Sequence, residues 1–287
     1  MLLKRIAILA ALTAITTTSV TLAAEPKPLK ILVVAGGCCH DYGTQTKLLK
    51  EGIEARINSE VTIEYNPSTG TDTVFKVYES DDWATGYDLI LHDECSAKVT
   101  DKVYVNRILA AHKAGVPAVN LHCAMHSYRW GDYRSPVEVG ADNAGWYEML
   151  GLQSSGHGPK IPIDLSFTNK DHPITIGMKG WTTVNEELYN NIRVHDGAEA
   201  LVTGVQMQPP RKKELQANPN AKAKKSTAVV AWTNLYGPNK TRIFSTSLGH
   251  MNETVADGRY MDLVTRGILW ATDHIDESGM AKDGYAK

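Results

Sequence analysis

The sequence predicts an α/β chain: a doubly wound, mostly parallel sheet with helices on both faces. Three observations lead there. Continuous apolar runs, among them Leu29–Ala35 (LKILVVA), Tyr87–Leu91 (YDLIL) and Val116–Leu121 (VPAVNL), suit strands buried on both faces. Between them lie segments with helical apolar spacing, so strand and helix alternate as a parallel sheet requires. Composition is that of an ordinary globular protein, 43% hydrophobic and 22% charged over 287 residues, which excludes a disordered, fibrous or coiled-coil chain.

Met1–Ala24 has the order of a secretory leader. Lys4 and Arg5 precede an apolar run (Ile6–Leu12), and Ala23-Ala24 supplies small residues for cleavage. The apolar stretch is too short to span a bilayer, which takes ~20 residues. Residues 25–28 read as a linker, and the mature chain is expected to be periplasmic or secreted, with no membrane segment. From residue 29 the strand Leu29–Ala35 ends in Gly36-Gly37. Thr44–Asn58 is an amphipathic helix through Leu49, Ile53 and Ile57, and Val61–Tyr65 a second strand. Tyr87–Leu91 closes with His92-Asp93-Glu94-Cys95. Asp101–Ala114 is a helix with Gly115 at its end, and Val116–Leu121 leads directly into His122.

The second half is less regular. Trp146–Leu150 reads as a helical turn, and strands are expected at Ile163–Phe167, Leu201–Val205, Thr227–Thr233 and Arg242–Ser247. Tyr260–His274 is a final helix, and residues 276–287 form a tail. Residues 208–225 are polar and proline-bearing, with six Lys or Arg against one Glu; a solvated hairpin loop explains them. The whole chain balances 30 Lys plus Arg against 32 Asp plus Glu, so nothing suggests phosphate neutralisation on a nucleic acid. The expectation is one domain over residues 29–275, with a homo-oligomer left open.

Four cysteines in an exported chain raise the question of disulfides. Cys38 and Cys39 are neighbours, for which a bond is geometrically awkward, and Cys95 or Cys123 is a candidate partner for either. Structural or free thiols are the expected state.

In an open α/β sheet, ligands bind beyond the carboxyl ends of the strands. His40, His122 and His250 each follow a strand candidate, and His157 lies in Gly156-His157-Gly158. His92 and His112 are assigned to core or helix positions, His172 to a turn cap, and His195 and His274 to the surface.

Taken in order, several motifs resemble one known family. They are Ala35–His40, Leu121-His122-Cys123-Ala124, Trp146–Gly151 (WYEMLG), Gly156-His157 and Asp171–Ile174 (DHPI). Glu186–Tyr189 (EELY), Ser247–His250 (SLGH) and Arg266–Ala271 (RGILWA) follow. The chain is similar over roughly Leu29–Ile275 to the trehalose-utilisation, or ThuA-like, family, whose fold resembles the class I glutamine amidotransferases. That resemblance implies carbohydrate utilisation, including keto-sugars or keto-glycosides. It also implies a histidine at His122 where amidotransferases carry a cysteine, with Glu187 as the functional carboxylate and Glu186 as fallback. Catalytic work is accordingly expected of His122, Glu187 and His157. A divalent metal, zinc or similar, would be held by His40, His122 and His250, and no nucleotide cofactor is expected. Trp130, Trp146 and Tyr189 are candidates to stack on a small-molecule carbohydrate. Two alternatives stand beside the enzyme: a non-catalytic sugar-binding protein, and a hydrolase using Cys123.

Overall fold

The computed structural model describes residues 26–287; the leader Met1–Ala24 and Glu25 lie outside them. The first half runs β1 (Leu29–Gly37), α1 (Tyr42–Glu54), β2 (Ser59–Asn66), β3 (Leu89–Cys95), α2 (Lys102–Lys113) and β4 (Ala118–Leu121). A 3-10 turn over His122–His126 and α3 (Gly145–Leu150) follow. Next come five short strands, β5 (Leu152–Gln153), β6 (His157–Ile161), β7 (Asp164–Phe167), β8 (Glu186–Tyr189) and β9 (Arg193–Val194). The chain ends with β10 (Glu199–Gln208), α4 (Lys212–Ala217), β11 (Lys224–Tyr236), β12 (Thr241–Thr246), α5 (Asn252–Val255) and α6 (Gly258–Ala271).

Eight strands form one sheet in the order β2-β1-β3-β4-β12-β11-β10-β7. From β2 to β12 every neighbour is parallel, and from β12 to β7 every neighbour is antiparallel. Alternation along β1 shows why the apolar run is continuous. Ile31, Val33 and Ala35 pack in one core with Leu49 and Ile53 of α1 and Val264 and Ile268 of α6. Leu32 and Val34 pack in a second core with Val105 and Ile108 of α2 and Met149 of α3. A strand covered on both faces has no polar side to show. The helices start where caps are available: Asp41, Asp101 and Asp257 each accept a backbone N–H of the first turn.

The structure departs from the sequence reading in three places. First, β3 runs on through Cys95, so His92, Asp93 and Glu94 lie within the strand, buried, rather than beyond its end. Second, residues 208–225 are not all loop. β10 and β11 stay paired out to Gln208 and Lys224, and α4, without a buried residue, sits at the tip. Both faces are wet there, so polar residues tolerate strand pairing. Third, the C-terminal segment folds back: Asn58 N–H donates to the Tyr285 carbonyl, and Ala286 bridges Ile57. No helix among the described residues is long and apolar enough to cross a membrane.

Candidate functional site

At the carboxyl edge of the parallel strands, the turns after β1, β4 and β12 each deliver one histidine. Gly36 and Gly37 end β1 with φ of 142° and 97°. A Cβ on either would stand 2.2 or 2.4 Å from a neighbouring carbonyl oxygen, so only glycine fits. The chain then turns to place His40 just before α1. His122 starts the turn after β4 with φ 36°, a conformation a side-chain-bearing residue adopts only under constraint. Its Nδ1 lies 2.7 Å from the Ser247 carbonyl, which can only accept. Nδ1 is therefore the protonated nitrogen, and Nε2 faces the site. His250 is held from two sides. Gln45 of α1 donates to the Gly249 and His250 carbonyls, and the Glu186 carboxylate accepts the backbone N–H groups of Gly249, His250 and Met251.

Four ligand-type atoms converge. His40 Nε2 is 2.9 Å and His122 Nε2 3.3 Å from His250 Nδ1. One Glu187 oxygen, delivered by β8, lies 3.4 Å from His250 Nδ1 and 3.6 Å from His122 Nε2. Its other oxygen lies 3.5 Å from His157 and 3.9 Å from Lys160. A tetrahedral zinc with bonds of about 2.0–2.1 Å holds its ligand atoms about 3.3 Å apart, close to the spacings that His250 Nδ1 makes with His40, His122 and Glu187. The donor chemistry fits too, with three imidazoles and a carboxylate, one imidazole fixed by a carbonyl behind it. Zinc or a similar ion would sit on His40, His122, His250 and Glu187.

Burial lowers the His40 pKa to about 2, and the neighbouring His122 and His250 lower it further, so this ring is neutral. Burial opposes charging of His122 as well, but the hydrogen bond to Glu187 and the charge of Glu186 outweigh it and leave the pKa raised. Burial likewise pushes Glu187 upward, yet its bonds to His122 and His250 win and hold it well below the usual carboxylate range. Glu187 is thus an anion shared by imidazoles.

His40, Glu187 and His250 border a cavity of about 380 Å³, together with Cys123, His157, Lys160 and Arg129. His157, expected to be catalytic, is there and half-exposed. The expected aromatic platforms fare differently. Trp146 is 1% exposed, with its indole N–H on the Ala124 carbonyl, so it props the turn that carries His122 and touches no ligand. Trp130 donates to Asp142 and does not border the cavity. Tyr189 does border it, but His126 stacks on its ring at 4.2 Å and His157 at 5.6 Å, so its faces are largely covered. Its hydroxyl, 3.3 Å from His122 Nε2, is what it offers the site.

The cysteines differ from the expectation. Cys38 and Cys39 are bonded to each other, and Cys39 takes φ 85°. Positive φ at Gly36, Gly37 and Cys39 shapes the turn in which the neighbouring cysteines meet. Cys95 and Cys123 are free and buried, with sulfurs 2.7 Å apart. The Cys123 thiol shares its proton with Cys95, and this contact and burial push its pKa well above the ordinary value. Three further site residues, Arg129, Lys160 and His126, were not assigned a role from sequence. His126 lay in view inside the His122–His126 motif, whereas Arg129 and Lys160 carry no spacing signal.

The chain matches the model of the ThuA family, described as trehalose utilisation, over residues 30–271. Two similar solved structures are ThuA-like proteins. That from Parabacteroides merdae is 18% identical, with a TM-score of 0.57 over 86% of this chain and 90% of its own. That from Bacteroides uniformis is 15% identical, with a TM-score of 0.58 over 88% and 95%. At these identities the likeness is one of fold. No curated protein matches the chain.

Proposed function

The chain belongs to the ThuA family, and on that premise we propose that it is an exported enzyme of carbohydrate utilisation acting on a keto-sugar or keto-glycoside. Its site would be a divalent-metal centre on His40, His122, His250 and Glu187. One observation carries the reading: three imidazole nitrogens and a carboxylate oxygen from four separate chain segments meet at the edge of one cavity. The ring nitrogens of His40 and His250 and the Glu187 carboxylate are reachable from that cavity, which is what speaks for chemistry. Export rests on the residue order of Met1–Ala24.

When bound, the metal would polarise a ketone and acidify the carbon beside it. The rest falls to this chain's side chains. His157, half-exposed at the cavity, takes the proton from that carbon, and Glu187, 3.5 Å from its Nδ1, steadies the imidazolium. The imidazolium then returns that proton, either to the oxygen of the group expelled from the next carbon as the electron pair forms the new double bond, which is elimination, or to the carbon skeleton at a different face or position, which is isomerisation. The Tyr189 hydroxyl at His122 and the buried walls keep the site ordered. What favours this reading over Cys123 as nucleophile is that its thiol directs its proton at Cys95.

The test is turnover of a keto-glycoside such as a 3-keto-glucoside, with and without chelator. The reading expects activity that chelator abolishes and zinc or a similar ion restores. Chelator-insensitive turnover lost in Cys123→Ala would transfer the chemistry to the thiol.

A further inference from the structure

We infer that the substrate carries an oxyanion, a carboxylate or a phosphate, seated on Arg129. This names the substrate class of the cavity described above and rests on that reading. Arg129 borders the same cavity as His40, His157, Glu187 and His250. Its Nε and Nη1 are buried, and neither finds a hydrogen-bond partner among the described residues. A guanidinium stays charged at any working pH, and burying its donors without an acceptor is costly. The acceptor is therefore to be sought in what enters the cavity.

The protein itself does not supply it. Glu187 is the one carboxylate among the residues bordering the cavity, and it is already engaged by His122, His250, His157 and Lys160. Arg129 instead lies over the Tyr133 ring at 4.5 Å, a contact that positions the guanidinium without neutralising it. Lys160 adds a second, half-exposed cation to the same wall. A planar fork of donors beside a cation is the standard complement of a carboxylate or phosphate.

Arg129 is also held in place by backbone that is under constraint. Tyr128, directly before it, has φ 54°. That conformation is secured on three sides. The Tyr128 hydroxyl donates to Glu94, its N–H donates to the Ser96 carbonyl, and its ring packs edge-on against Trp146 at 4.6 Å. Strained, fully buried residues of this kind concentrate where a neighbouring side chain must be placed accurately. The cavity volume suits a monosaccharide with one charged group.

The experiment is calorimetric binding of three probes, glucose, glucuronate and glucose 6-phosphate, to the purified chain and to Arg129→Gln and Arg129→Lys. Zinc content is measured on every sample. The inference expects at least one charged sugar to bind the unmodified chain tenfold or more tighter than glucose. Arg129→Gln should erase that preference while glucose binding stays within twofold, and Arg129→Lys should keep part of it. The tighter of the two charged probes identifies the source of the oxyanion. Equal affinity for all three sugars, or a preference that survives in Arg129→Gln, overturns the inference, as does the failure of both charged sugars to bind the unmodified chain. Zinc content separates the two readings: no zinc in any sample, with the charge preference intact, retires the metal centre alone.

Discussion

Two histidine clusters, one at the carboxyl edge of the sheet and one inside the core beside β3, do different things with similar chemistry. One is the site just described. The other is sealed inside the second core. There, His92 Nδ1 lies 2.9 Å from Glu94, His92 and His112 meet at 3.0 Å, and Tyr78 and Tyr128 both donate to Glu94. His112 Nδ1 donates to the Val116 carbonyl at 2.7 Å. His92, Glu94 and His112 are all 0% exposed. Both clusters combine imidazoles with a carboxylate. In the sealed one nearly every polar atom has a protein partner and all three groups are fully buried; in the open one three ring nitrogens face one another, the carboxylate is shared, and a cavity borders the set. Residue type does not separate structural from functional histidines here. Access and unspent ligand capacity do.

The largest expected effect falls on stability. Glu94→Ala leaves two tyrosine hydroxyls and His92 without their acceptor in the core and should cost about 3 kcal/mol or more. Because the open cluster borders a cavity rather than the sealed core, His250→Ala should cost much less, near 1–2 kcal/mol, while removing bound metal. Urea unfolding of the two variants checks this. A His250→Ala protein as unstable as Glu94→Ala would erase the distinction between the clusters.

The sealed cluster also sets a pH dependence. Burial, reinforced by His92, lowers the His112 pKa to about 3. The unfolded state, with an ordinary value of ~6.5, therefore binds the proton that the folded state refuses. The contribution is complete above about pH 6.5 and is lost as pH falls from there toward 3. Denaturant midpoints of the unmodified chain and His112→Gln should thus converge as pH is lowered through that window. A difference that stays constant would contradict the buried-neutral assignment.

How much of this was visible beforehand divides along the sheet. The parallel half was legible because strands buried on both faces leave long apolar runs, and its end points led to His40, His122 and His250. The short strands β5, β6, β8 and β9 were not, since two to five residues with polar members carry no measurable alternation. Glu187 was found only through the family's motif, and its neighbour Glu186 turned out to grip the loop carrying His250. His92-Asp93-Glu94 resembled a strand end because charged residues usually mark one. Here their partners, Tyr78, Tyr128 and His112, come from distant segments that sequence does not connect. Trp146 was misread for the converse reason: an aromatic beside a site motif looks the same whether it supports the turn or faces the ligand.

Two smaller effects sharpen the picture. Glu186→Gln keeps an acceptor but loses the charge that binds three N–H groups of the His250 loop; metal affinity should drop about tenfold, in the range of other supporting residues. Isothermal titration with zinc measures it, and an unchanged affinity would mean that Gln45 alone suffices to hold the loop. Smallest of all, replacing residues 209–223 with a short Gly/Ser linker should alter stability by no more than roughly 1 kcal/mol, because α4 buries nothing. Loss of folding on urea titration would show that this hairpin tip docks on the core.

The claim on which the account turns is that the open cluster is a metal centre built by His40, His122, His250 and Glu187. Zinc titration of metal-free protein, run in parallel on the unmodified chain, His122→Ala and Cys123→Ala, tests it most directly, with circular dichroism confirming the fold of each. The account predicts one zinc per chain for the unmodified protein and for Cys123→Ala, and none retained by a folded His122→Ala. One zinc held by His122→Ala but lost from Cys123→Ala, or no zinc bound by the unmodified chain, would contradict it.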